Sequence, residues 1–183
     1  VMICGQQYKM NDTAFPTLVK DNPYILSDGE CAVIEELKTA FLNSVRLQRH
    51  IHFMYEKGSM YRIFNDNLLY HGCIPMDDMG NFEGVTLEGQ TYQGKSYLDY
   101  ADHVARRAFF VKKDQYALDF MWYLWCGRKS PLSGRNIKTF ERTFLDDQNT
   151  WSEETNPYYQ FYHEEKTCNM ILRDFGLYTS MSH

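Results

Sequence analysis

The sequence predicts a mixed α/β fold that is richer in helix than in strand. Apolar residues recur at helical spacing over several long segments, and two short apolar runs flank a turn-forming Asn-Asp-Asn. Glycine- and proline-containing connections separate these blocks.

The stretch up to Leu26 carries Pro16 and Pro23 among scattered polar residues and reads mainly as irregular chain. Ser27 then caps a helix, with Glu30 as the second half of a capping box and Val33, Ile34, Leu37, Phe41 and Leu42 as an apolar stripe. A second helix is expected from about Val45, with Leu47, Ile51, Met54 and Tyr55 on one face, ending near Gly58. Ser59 to Phe64 and Leu68 to Gly72 read as two strands joined by Asn65, Asp66 and Asn67, which makes a hairpin. The connection from Met76 to Gly94 is rich in Gly, Asp and Asn, with a short strand expected at Gly84 to Leu87. Helices are predicted from Ser96 to Lys112 and from Asp114 to Cys126, where Gly127 stops the second. A Gly/Pro/Ser loop, a mixed segment from Ile137 to Leu145 and a polar loop lead to a final helix over Pro157 to Phe175. No repeat or linker interrupts the chain, so residues 1–183 read as one partial domain.

Composition narrows the function classes. With 44% hydrophobic and 23% charged residues the chain suits an ordinary globular protein, and 16% aromatic residues argue against disorder. A formal charge of −5 gives no general attraction to nucleic acid or an acidic membrane. No apolar run reaches membrane-spanning length, and neither a span nor a signal peptide is expected. Cys4, Cys31, Cys73, Cys126 and Cys168 are odd in number and lack a Cys-x-x-Cys pair, which predicts free thiols in a reducing cytoplasm.

Several residue groups are candidates for chemistry. His71, at the end of an apolar strand beside small Gly72, is placed to project into a site, although a lone histidine is more often structural. Arg128, Lys129, Arg135, Lys138 and Arg142 cluster around the Gly127 to Gly134 loop, where Ser130 and Ser133 add hydroxyl donors. Such a cluster suits phosphate, and its bland alternative is a solvated basic edge. Arg46, Arg49 and His50 read as the watery side of a helix, and Asp77 and Asp78 as turn residues. His163, Glu164 and Glu165 point in different directions on a helix and read as surface. Trp122, Tyr123 and Trp125 sit among Leu118, Phe120, Met121 and Leu124 and are expected in the core rather than on a sugar-stacking platform.

The segments Lys57-Gly58-Ser59-Met60-Tyr61, Asn67 to Pro75 (Asn-Leu-Leu-Tyr-His-Gly-Cys-Ile-Pro) and Trp122 to Gly127 (Trp-Tyr-Leu-Trp-Cys-Gly) resemble the class III fructose-1,6-bisphosphatases of Firmicutes and Bacteroidetes. Ser130-Pro131-Leu132, Thr139-Phe140-Glu141-Arg142 and Asn156-Pro157-Tyr158-Tyr159 follow in the same order, with Asn22-Pro23-Tyr24 and Phe41-Leu42-Asn43-Ser44 upstream. The resemblance spans essentially the whole chain.

It implies part of a calcineurin-like metallophosphoesterase sandwich with family-specific helices, and hydrolysis of the 1-phosphate of fructose 1,6-bisphosphate in gluconeogenesis, with manganese as activating metal. His71 is then the one metal-site residue of this chain, and Arg128, Lys129, Arg135 and Arg142 are candidates for the substrate phosphate that the metals do not hold. The family's upstream Asp, His and Asn-His motifs, and the Gly-His-Thr-Pro motif expected beyond Ser182-His183, have no counterpart here. The expected chain is therefore an inactive middle-to-C-terminal piece of a cytoplasmic enzyme, compatible with a homo-oligomer. A stand-alone sugar-phosphate-binding or protein-interaction module is the alternative.

Overall fold

The computed structural model describes residues 1–177, and the expected Ser182-His183 terminus lies outside them. The chain divides into two compact units, Val1–Lys57 with Thr139–Trp151, and Gly58–Lys138 with Ser152–His183.

In the first unit, strands β1 (Met2–Ile3) and β2 (Gln6–Gln7) form a short hairpin, followed by irregular chain as far as helix α1 (Asp28–Asn43). The capping box is present as predicted: the Ser27 hydroxyl accepts the Glu30 N–H, and the Glu30 carboxylate accepts the Ser27 N–H at 2.7 Å. Ser44 alone separates α1 from α2 (Val45–Lys57), and its hydroxyl accepts the Leu47 N–H at 3.3 Å. Helix α5 (Thr139–Phe144) joins the unit through the Asn11 N–H, which donates to the Phe144 carbonyl at 2.9 Å, and through the Phe15–Phe144 ring pair. A 3-10 turn at Gln148–Trp151 closes it, with the Trp151 indole N–H on the Leu145 carbonyl at 3.1 Å. Among the described residues of this unit only Leu145 is buried.

The second unit holds two further hairpins, β3 (Tyr61–Phe64) with β4 (Asn67–Tyr70) and β5 (Val85–Leu87) with β6 (Gln90–Tyr92). All three hairpins among the described residues turn over two residues with positive φ, at Cys4-Gly5, Asn65-Asp66 and Glu88-Gly89. Turns of that hand match the right-handed twist of paired strands. Cys4 and Glu88 are poor turn formers, which is why the sequence reveals the Asn65-Asp66 hairpin and hides the other two. The described strands form three separate two-stranded sheets, and with seven α-helices the fold is mixed α/β and helix-rich.

Helix α3 (Gly94–Phe110) centres the core of this unit. Its Tyr97, Leu98, Ala101, Val104 and Ala105 are buried at the spacing of one helical face. Tyr97 and Leu98 meet Cys73, Ile74, Met76, Val85, Tyr158, Ile171 and Phe175. Helix α4 (Gln115–Cys126) buries Ala117, Phe120 and Leu124 instead of the Leu118, Met121, Trp122 and Trp125 row. The helix is apolar almost all round, so spacing alone does not select the face that packs.

The expected final helix is broken into α6 (Tyr158–Phe161) and α7 (Glu165–Asp174). Tyr158 in α6 and Thr167 and Ile171 in α7 are buried. The run His163-Glu164-Glu165-Lys166 at the start of α7 offers no apolar residue to carry one stripe across. No helix among the described residues is long and apolar enough to cross a membrane.

Candidate substrate site

The site grows out of the loop that follows β4. There His71 and Gly72 lead into Cys73, Ile74, Pro75 and Met76, all buried. A Cβ on Gly72 would lie 2.7 Å from the Leu132 carbonyl oxygen and closer still to that of Pro131, so only glycine lets the two loops touch. Buried Cys73 donates to the Ser130 carbonyl at 3.3 Å, and burial pushes its thiol up to about 12, so it is an inert core group.

The facing loop is built by its own hydroxyls. The buried Ser130 hydroxyl donates to the Leu124 carbonyl at 2.6 Å and accepts the N–H groups of Leu132 and Ser133. Ser133 donates to the Gly127 carbonyl at 3.0 Å. Both serines are thus committed to holding the loop onto the end of α4, which corrects their reading as anion donors. Gly134, at φ +60, turns the chain so that Arg135 bridges Thr155 in an antiparallel step, with the Asn136 N–H on the Glu154 carbonyl at 3.0 Å.

Two cavities open on this framework. One of about 460 Å³ is lined by His71, Met121, Leu124, Trp125, Leu132, Ser133, Arg135 and Ile137. The other, about 390 Å³, is lined by His71, Gly72, Leu132, Ser133, Arg135, Thr155 and Tyr159. His71 and Arg135 therefore border both. Trp125 is 67% exposed and Trp122 70%, which corrects the expectation that both lie in the core. Burial raises the Tyr159 hydroxyl above its ordinary value, so the second cavity carries a neutral phenol on its rim.

The other predicted cations have carboxylate or carbonyl partners. Arg128 donates to the Thr155 carbonyl at 3.2 Å and pairs with Glu154, and Lys129 pairs with Glu83 at 2.7 Å. Arg135 faces Glu153 at 3.5 Å with 57% of its side chain exposed. The Lys138 backbone N–H donates to the Glu153 carboxylate at 3.4 Å. Arg142 belongs to the first unit, where its guanidinium donates to the Trp151 carbonyl. Asp77 has the turn role expected of it, accepting the N–H groups of Met79 and Asn81. Among the described residues no three His, Cys, Asp or Glu side chains come together as a metal-ligand set.

Residues 1–183 match the family model of the Firmicute fructose-1,6-bisphosphatases. The chain belongs to that family. A class 3 fructose-1,6-bisphosphatase of Clostridium botulinum (strain 657 / Type Ba4) is 53% identical over 181 residues, covering 96% of this chain and 27% of that protein. The class 3 enzyme of Clostridium novyi (strain NT) is 50% identical over 184 residues, covering 98% of this chain and 28% of that protein. The chain thus spans only 27–28% of the length of these curated relatives. No solved structure matches it.

Four of the fructose-1,6-bisphosphatase segments of the sequence are neighbours in the second unit. Those at Asn67 to Pro75, Trp122 to Gly127, Ser130 to Leu132 and Asn156 to Tyr159 supply His71, Trp125, Leu132 and Tyr159 to the cavity walls. Arg135 stands outside every one of those segments; the contact of Gly72 with Pro131 and Leu132 and the bridge to Thr155 bring it to the cavities that His71 borders.

Proposed function

We propose that this segment contributes part of the substrate site of a class 3 fructose-1,6-bisphosphatase, which hydrolyses the 1-phosphate of fructose 1,6-bisphosphate to fructose 6-phosphate and inorganic phosphate. One observation carries the reading beyond family membership: an imidazole and a guanidinium border the same two cavities. Arg135 is the phosphate ligand of choice. Its fork matches two phosphate oxygens, and 57% of its side chain is exposed to receive them. Arg128, Lys129 and Arg142 rank behind it, because none lines these cavities. The carbon-rich wall made by Trp125, Leu124 and Leu132 suits the apolar face of a sugar beside the phosphate.

In hydrolysis water adds to phosphorus, the bond from phosphorus to the bridging sugar oxygen breaks, and that oxygen leaves with a proton as the sugar hydroxyl. His71 is proposed as one nitrogen donor toward manganese. Among the described residues no three His, Cys, Asp or Glu side chains gather as a ligand set, and no step is assigned to a metal. The hairpin β3–β4 that delivers His71 is proposed as an edge of a calcineurin-like sheet that other segments complete. The free cysteines fit a cytoplasmic setting for gluconeogenic chemistry.

The test splices residues 1–183 in place of the matched stretch of the Clostridium botulinum relative and measures phosphate release from fructose 1,6-bisphosphate with manganese. His71→Ala is expected to lower kcat at least about 100-fold, as loss of a ligand does, and Arg135→Ala to raise KM. Trp125→Phe in the isolated chain reports whether sugar phosphate quenches that indole. Full activity in both the His71 and Arg135 variants would remove this site from the reaction.

A further inference from the structure

Helices α1 and α2 bury no residue, although α1 has a complete capping box and an apolar stripe. Val33, Ile34, Leu37 and Phe41 recur on one side and are 47–62% exposed. On α2, Val45, Arg46, Arg49, His50 and Phe53 line a groove of about 600 Å³ that contains no carboxylate. Helices of this length are marginal in water, and tertiary packing of the apolar face is what normally holds them. A surface this apolar on a folded protein marks a contact site.

The relatives indicate what covers it. They match this chain over 27–28% of their length, so most of each polypeptide lies outside the matched stretch. A second copy is the weaker occupant, since a two-fold contact would set Arg46 and Arg49 against their own likeness. We propose that the α1 stripe and the α2 groove form an internal docking face of class 3 fructose-1,6-bisphosphatases. It receives an apolar segment bearing carboxylates from the part of the polypeptide outside the matched stretch. This rests on family membership and not on the catalytic reading.

Hydrogen exchange tests it without substrate. Amides of residues 28–57 are expected to exchange at least about tenfold more slowly in the spliced clostridial protein than in the isolated chain. Leu37→Asp with Phe41→Asp should abolish that protection, Arg46→Glu with Arg49→Glu should reduce it, and Thr39→Asp on the opposite side should leave it intact. The same measurement over the aligned helices of the unspliced Clostridium botulinum relative keeps the test decisive if the splice fails to fold. Equal exchange in the long and short proteins overturns the proposal. So does protection already present in the isolated chain, whether it depends on concentration, as for a second copy, or not, as for its own second unit. Protection without phosphatase activity would leave docking intact and sink only the catalytic reading.

Discussion

The side-chain oxygen of Asn156 accepts the backbone N–H of Met76 at 3.0 Å, tying together two segments 80 residues apart. The same oxygen accepts the Tyr158 N–H at 3.0 Å, and the Asn156 N–H donates to the Gly134 carbonyl at 2.8 Å. One fully buried amide thus links the strand exit after His71, the loop before Arg135 and the start of α6.

Asn156→Ala leaves two buried N–H groups without an acceptor. It is expected to destabilise the second unit by about 1–3 kcal/mol per orphaned group, read as a lower urea midpoint at unchanged m-value. A midpoint shift within error would show that these bonds contribute nothing net.

Gly72→Ala pushes a methyl group into the Pro131 and Leu132 carbonyls, which are backbone and cannot swing away. The expected cost is about 1–3 kcal/mol, with the loop carrying His71 displaced from Arg135. Thermal unfolding measures the first effect, and the histidine ring signals in an NMR spectrum measure the second.

Asp66 sits at φ 58 in the turn of β3–β4, a conformation that glycine adopts without strain. Asp66→Gly is therefore expected to stabilise the hairpin by up to about 1 kcal/mol, and Asp66→Val to destabilise it by a similar amount. Chemical denaturation of the two variants side by side gives the sign; the reverse order would exclude the turn geometry.

Asp114 caps α4 and faces Arg107 at 2.8 Å. Its acceptance of the Ala117 N–H, with help from Arg107, holds its carboxyl below the ordinary 3.8. The native state then binds fewer protons than the unfolded state in that range, so the contribution is present above 3.8 and lost as pH falls through the lower folded value. Asp114→Asn should flatten the acid limb of a stability profile relative to the parent. Parallel limbs for the two proteins would remove Asp114 as a cause.

The local features were legible where the code is local. Ser27 and Glu30 announce a capping box three residues apart, Asn65-Asp66 announce a turn, and Gly127 ends α4, because each acts on backbone groups within a few residues. The separated family segments likewise identified the fructose-1,6-bisphosphatase family before any coordinate was needed.

Tertiary structure alone decided which face of α4 is buried, and hence that Trp125 is available to the larger cavity, since a helix apolar on almost every side carries no directional signal. It also set Arg135, among the cations around the Gly127 to Gly134 loop, on the walls of both cavities that His71 borders. Its place beside His71 rests on the contact of Gly72 with Pro131 and Leu132 and on the bridge to Thr155, long-range contacts that leave no trace in local spacing.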